Sequence, residues 1–228
     1  MPVTAPLDSR PPQAVPPAAP RLFPALTIVA VAAVVIGLPG RVHILPSWTA
    51  YAVVAMLLLP MVLRTARPAD ARIFHLERAT TLAGVSIVCV LSVVTLANLI
   101  AGILLRSHAL TAYNLLASST ALWLTNVLGF SLLYWALDGG GPDLRLAGNG
   151  RYPDFAFAQA GAGDAVPPGW LPAYMDYLFT SFTTQTAFGP TDALPLTSRA
   201  KAVMMLQSII SLITLVVVAS RAIGILQT

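Results

Sequence analysis

The chain has 228 residues, of which 57% are hydrophobic and only 10% charged. Ordinary soluble domains carry roughly 25% charged residues, so this composition excludes a typical soluble enzyme and points to a membrane protein. The formal net charge of +4 is not a nucleic-acid signature, because the arginines are scattered over connecting segments with no basic patch interleaved with aromatics.

Residues 1–21 are rich in Pro and Ala and read as a disordered N-terminus. Apolar runs follow at 22–38, 49–63, 80–105, 110–137 and 202–225. A helix needs about 20 apolar residues to cross a bilayer, so these are read as five spans, the first two being short. The run 22–38 lacks a small-x-small cleavage site at Gly37-Leu38-Pro39-Gly40 and is read as an anchor rather than a leader. The first three spans form an N-terminal region, 22–105, in which 64–79 is expected to be a polar loop. The single cysteine, Cys89, falls inside the third span and reads as a packing residue.

Past the fourth span the pattern changes. Residues 138–171 are rich in Gly and Pro and show neither a helical nor a strand period, so no regular element is expected there. Tyr152, Phe155, Phe157 and Trp170 give this segment an aromatic content that suits a headgroup layer or a protein surface. Its acids Asp138, Asp143, Asp154 and Asp164 read as solvated loop residues. Pro172 is placed to open a short helix over 174–185, too short and too rich in Ser and Thr to span.

Chemistry-bearing constellations are scarce. His43, His75 and His108 stand apart at loop positions, without the spacing of a metal site. No Ser–His–Asp set, phosphate-binding glycine loop or cysteine pair appears, so neither an enzyme nor a cofactor is expected. In the last span Gln207, Ser211 and Thr214 share one helical face. That stripe suits either a pore lining or hydrogen bonds between helices. No acid or base sits in the middle of a span, which argues against a proton-coupled transporter or a voltage sensor.

The segment from Asp176 to Pro195 resembles the pore helix and selectivity filter of potassium channels. Ser181, Phe182, Thr184, Thr186, Gly189, Asp192 and Pro195 fall on the frame Ser-Phe-x-Thr-x-Thr-Thr-Val-Gly-Tyr-Gly-Asp-x-x-Pro without a gap. The resemblance implies that Thr184, Thr186, Ala187, Phe188, Gly189, Pro190, Thr191 and Asp192 form a filter-like loop. The departures fall at its centre. Where that family has Thr-Val-Gly-Tyr-Gly, this chain has Ala187-Phe188-Gly189-Pro190-Thr191. Ala187 lacks the ion-facing hydroxyl, Pro190 fixes its φ and gives no N–H, and Thr191 resists the positive φ that glycine takes. The half 110–228 is also similar to a group of bacterial membrane proteins. They share Trp-x-Leu-Asp-x-Gly-Gly-Pro (here 135–142), Pro-Asp-Phe-x-Phe-x-Gln (153–159), Thr-Ala-Phe-x-Pro-Thr-Asp (186–192) and Leu-Pro-Leu-Thr (194–197).

Charge gives an independent view of orientation. With five spans and the N-terminus inside, the inner segments hold Arg10, Arg21, Arg64, Arg67, Arg72, Arg78, Arg145, Arg151, Arg199 and Lys201. Only Arg41, Arg106 and Arg221 are left outside, a partition the positive-inside rule prefers. It puts the filter-like loop on the cytoplasmic side, opposite to the channels it resembles.

The expected architecture is an all-α, multi-pass inner-membrane protein of about five transmembrane helices, with one re-entrant pore helix and loop between the last two. Its second half divides into an outer helix 110–137, a loop 138–171, a pore helix and filter-like loop 172–195 and an inner helix 202–225. The resemblance implies a cation-channel subunit, working in the lipid bilayer on a monovalent cation as a homo-oligomer, four copies if it forms a pore. The alternative is a non-conducting membrane scaffold or sensor that keeps the pore-loop fold.

Overall fold

The computed structural model describes residues 19–37, 48–67, 70–104, 112–148, 152–186 and 192–226. The chain is predominantly helical: α1 (Leu22–Ile36), α2 (Trp48–Ala66), α3 (Ala71–Leu104), α4 (Ala112–Leu137), α5 (Pro142–Leu146), α6 (Tyr174–Gln185) and α7 (Ser198–Leu226). Two three-residue strands, β1 (Phe155–Phe157) and β2 (Ala193–Pro195), complete it.

Among the described residues three helices are long and apolar enough to cross a membrane, over Ala71–Asn98, Ala117–Gly140 and Ser198–Val217. α1 has 15 residues, and at 1.5 Å per residue it reaches about 22 Å, short of a hydrocarbon core of about 30 Å. The apolar part of α2 is short as well, and Pro60 inside it removes a helical hydrogen bond. The expected loop 64–79 is mostly helix, because α2 runs on to Ala66 and α3 begins at Ala71. The cause is ionic pairing. Arg64 and Glu77, which sequence alone sends to water, are buried against Asp143 and Arg21. His75 accordingly lies in α3, edge-on to Phe74, while His43 and His108 lie outside the described residues.

α4 is the central post. Its apolar window is 67% buried, against 33% for those of α3 and α7, and α1, α3, α6 and α7 all pack on it. α2 packs on α1 and α3, and at α3 Gly84 lets the helices close: a Cβ there would meet Leu57 Cδ2 at 2.5 Å.

Side-chain pairs fix the direction of each helix. Arg21 precedes α1, Arg64 is in the last turn of α2, and Glu77 is near the start of α3. Asp143 follows α4, and Arg199 opens α7. The contacts Arg21–Glu77, Arg21–Asp143, Arg64–Asp143 and Arg199–Asp154 therefore gather these termini at one end. Neighbouring long helices alternate in direction, and these ion pairs, with Arg145–Asp138, lie at one charged end.

The described parts of segment 138–171, residues 138–148 and 152–171, are more ordered than their composition implies. Gly139, Gly140 and Gly141 have φ of 58°, 88° and 113°, and this run turns the chain back after α4. β1 pairs antiparallel with β2 in the register Phe155↔Pro195, Ala156↔Leu194, Phe157↔Ala193. The pairing is extended by Ala158 N–H to Asp192 O and Leu196 N–H to Asp154 O, at 2.9 and 2.8 Å. Phe155 and Phe157 pack on Tyr134 and Tyr177 with centroids 5.1 and 5.2 Å apart. No local period announces this strand, because its partner lies beyond α6.

Candidate functional site

α6 is the element around which the candidate site is built. The helix expected over 174–185 forms on those residues, with Ala173 as its N-cap. Pro172 lies before the cap rather than in the first turn. What fixes the start is Asp176, whose Oδ2 accepts the Ala173 N–H at 2.7 Å.

Three contacts show how α6 lies on α4. Ser131 Oγ and Tyr174 Oη share a hydrogen bond of 2.6 Å, Ser181 Oγ donates to Val127 O at 2.7 Å, and Asn126 Nδ2 donates to Gln185 Oε1 at 2.5 Å. As α6 advances, its partners on α4 step backwards, so the helices are antiparallel. α6 starts at the charged end and stops beside Asn126, near the middle of α4. β2, which follows, is back at the charged end against β1.

α7 holds α6 from its other side. Gln207 Nε2 donates to Ser181 O and Ser181 Oγ, both at 2.9 Å, and Gln207 Oε1 accepts from Tyr134 Oη. Ser211 Oγ donates to Gln185 O, and Thr214 Oγ1 donates within α7 to Ile210 O at 2.7 Å. The stripe Gln207, Ser211, Thr214 is thus turned into the chain, with Gln207 at 0% exposure. Within this chain the three side chains serve as interhelical and intrahelical hydrogen-bonders. Helical spacing gives a shared face but not the direction in which that face points. The outer face of α7 is apolar, with Met205, Ile209, Leu212 and Val216 exposed.

Of the filter-like residues, Thr184 and Thr186 are at the inner end of α6. Their hydroxyls turn back on carbonyls of the helix, Thr184 to Thr180 O at 2.8 Å and Thr186 to Phe182 O at 3.2 Å. Asp192 lies beside β2, and its carbonyl accepts from Ala158. Ala187, Phe188, Gly189, Pro190 and Thr191 lie outside the described residues.

Two buried ionic knots brace the charged end. In the first, Arg21 meets Glu77 through Nε at 2.5 Å and Nη2 at 2.8 Å, and reaches Asp143 at 2.9 Å. Arg64 joins from α2, its Nε 3.2 Å from Asp143 Oδ2 and its guanidinium 5.3 Å from the Phe74 ring. In the second, Asp138 accepts the backbone N–H groups of Asp154 and Phe155 and the Tyr177 hydroxyl, at 2.6, 3.2 and 2.6 Å. Arg145 caps Asp138 O and Trp135 O, with its guanidinium 5.0 Å from the Tyr177 ring. Asp154 takes Arg199, Thr197 Oγ1 and the Gly139 N–H. Burial opposes ionisation of Asp154, but the hydrogen bonds and charge of Arg199, with Thr197 and Gly139, hold its carboxyl below the ordinary range.

Asp138, Asp143 and Asp154 are therefore not solvated loop acids: each is at most 2% exposed and paired, and only Asp164 stands in the open. The sequence signal that could have found them is the placing of Asp138 against a glycine run and of Asp154 before an aromatic strand. Among the described residues no three His, Cys, Asp or Glu side chains gather in a way that could hold a metal ion. No family model, curated protein or solved structure matches the chain.

Proposed function

We propose that the chain is a multi-pass inner-membrane protein whose second half is a pore-loop module, and that it acts as a potassium-channel-like cation-channel subunit with an altered filter. One observation carries this reading. α6 enters beside the charged end of α4, stops next to Asn126, and is followed by a strand back at the same end. In a bilayer that is a re-entrant helix. Its 12 residues reach about 18 Å, over half of a core of about 30 Å. Its C-terminal end carries the negative pole of the helix dipole, which favours a cation at that depth. The segment 187–191, where the potassium-channel frame holds its filter, begins there.

One pore-loop module per chain cannot encircle an ion, so copies would share the path. The working unit on this reading is a closed homotetramer. The charged end faces the cytoplasm, in keeping with the excess of Arg there.

A second reading has its own support. The polar stripe of α7 points inward while its exposed face is apolar, which suits a non-conducting scaffold or sensor that keeps the module. Flux of potassium and sodium into liposomes, measured on protein whose tetrameric state is checked by mass photometry, separates the two. The channel reading requires flux above empty liposomes. A tetramer that passes neither ion leaves the scaffold, and a clean monomer across detergents and nanodiscs removes the pore.

A further inference from the structure

The inner end of α6 carries two buried polar atoms that their neighbours do not satisfy. Asn126 is 1% exposed and Gln185 is 2% exposed. They share one hydrogen bond, Asn126 Nδ2 to Gln185 Oε1. That leaves Asn126 Oδ1 and Gln185 Nε2 without a partner among the described residues. A buried polar atom without a hydrogen bond is costly, the more so where hydrocarbon rather than water surrounds the bundle.

The pair of atoms selects its ligand. One is an acceptor and the other a donor. A cation would satisfy Asn126 Oδ1 but would meet the positive end of the Gln185 N–H. An anion would meet the reverse conflict. Turning both amides over exchanges the roles and again leaves one donor and one acceptor. The ligand must therefore give and take a hydrogen bond at once and be small enough for a packed interior.

We infer that Asn126 and Gln185 hold one internal water, which accepts from Gln185 Nε2 and donates to Asn126 Oδ1. Buried waters are held by such otherwise unsatisfied groups. Such a water closes the ring that the direct amide bond begins, on a residue whose backbone carbonyl already accepts from Ser211. α6 thus ends on a hydrated amide pair, just before residue 187. The inference stands on these atoms and is independent of whether the protein conducts.

Gln207 supplies an internal control. It is equally buried, but its Nε2 is bonded to Ser181 O and Ser181 Oγ at 2.9 Å and more weakly to Gln185 Oε1 at 3.4 Å. The test is solid-state NMR of the full chain in lipid bilayers, reading magnetisation transfer from water protons to side-chain amides. Thr-Gln occurs once in the chain, at Thr184-Gln185, so carbonyl-labelled Thr identifies the Gln185 backbone nitrogen, and uniformly carbon- and nitrogen-labelled Gln carries that assignment along the side chain to its Nε2 without a mutation. The expected result is several-fold greater transfer to the Gln185 amide than to that of Gln207. Equal transfer to both overturns the inference, since the two amides would then close on each other directly. A Gln185 signal that moves when potassium is replaced by a large organic cation also overturns it, in favour of an ion. In Asn126→Leu the Gln185 transfer should fall to the Gln207 level. Retention there would show that Asn126 does not hold the water.

Discussion

Arg199 closes on Asp154 through two parallel hydrogen bonds, Nε to Oδ1 at 2.6 Å and Nη2 to Oδ2 at 2.5 Å. The carboxylate is fully buried, while the arginine side chain is 41% exposed. The pair ties the start of α7 to the strand that precedes α6. Arg199→Leu leaves the carboxylate with only Thr197 and a backbone N–H. The expected loss is about 1–3 kcal/mol, the cost of leaving a buried polar group short of its partner, read as a lower melting temperature in detergent. Arg199→Lys should recover only part of it, because an ammonium cannot reproduce the two-pronged contact.

The same carboxylate sets a pH dependence. Asp154 is held below its ordinary range when folded, so its contribution is fully present above the unfolded value of about 3.9 and is lost as pH falls through the folded value. The melting temperatures of the parent and Asp154→Asn should differ most near pH 6 and converge as the medium is taken below about pH 4. A gap that stays constant over that range would mean that the ionised form of Asp154 adds nothing.

Orientation is open to direct labelling. Tyr152 is 94% exposed, and the native thiol Cys89 is buried. In a Cys89→Ser background, Tyr152→Cys should resist an impermeant maleimide in intact cells and react after lysis. Labelling before lysis would put the charged end outside and restore the orientation of ordinary channels.

The filter departures can be reversed in place. Ala187→Thr, Pro190→Tyr and Thr191→Gly together write the potassium signature into the frame, Phe188 apart. The triple variant should show barium-sensitive potassium flux in liposomes that exceeds the parent's and largely excludes sodium. A parent that already selects potassium strongly would contradict the role given to Pro190 and Thr191. A variant that folds and tetramerises yet passes nothing would favour the scaffold.

The long helices were legible because hydrocarbon-sized apolar runs leave few alternatives, and α6 because its Ser and Thr content set it apart from a span. What the sequence hid were the long-range pairings. Arg64 and Glu77 look like loop residues until Asp143 and Arg21, far away in the chain, remove their need for water. Phe155–Phe157 has no strand period, because three residues cannot show one and their partner comes after α6. Gln207, Ser211 and Thr214 revealed a common face, but only packing against α6 fixes which way it looks.

Arg199 follows Asp154 by 45 residues. At ribosomal rates of about 5–20 residues per second, that separation is about 2–9 s of synthesis. Throughout that interval the acid has been made and its cation has not. The knot of Arg21, Arg64, Glu77 and Asp143 can close earlier, since all its members precede α6. Docking can therefore be staged: the contacts among the first four helices can form first, and α7 brings the partners of Asp154 and Ser181 last. A nascent chain stalled before residue 199 would present that unlocked intermediate to the membrane quality-control machinery.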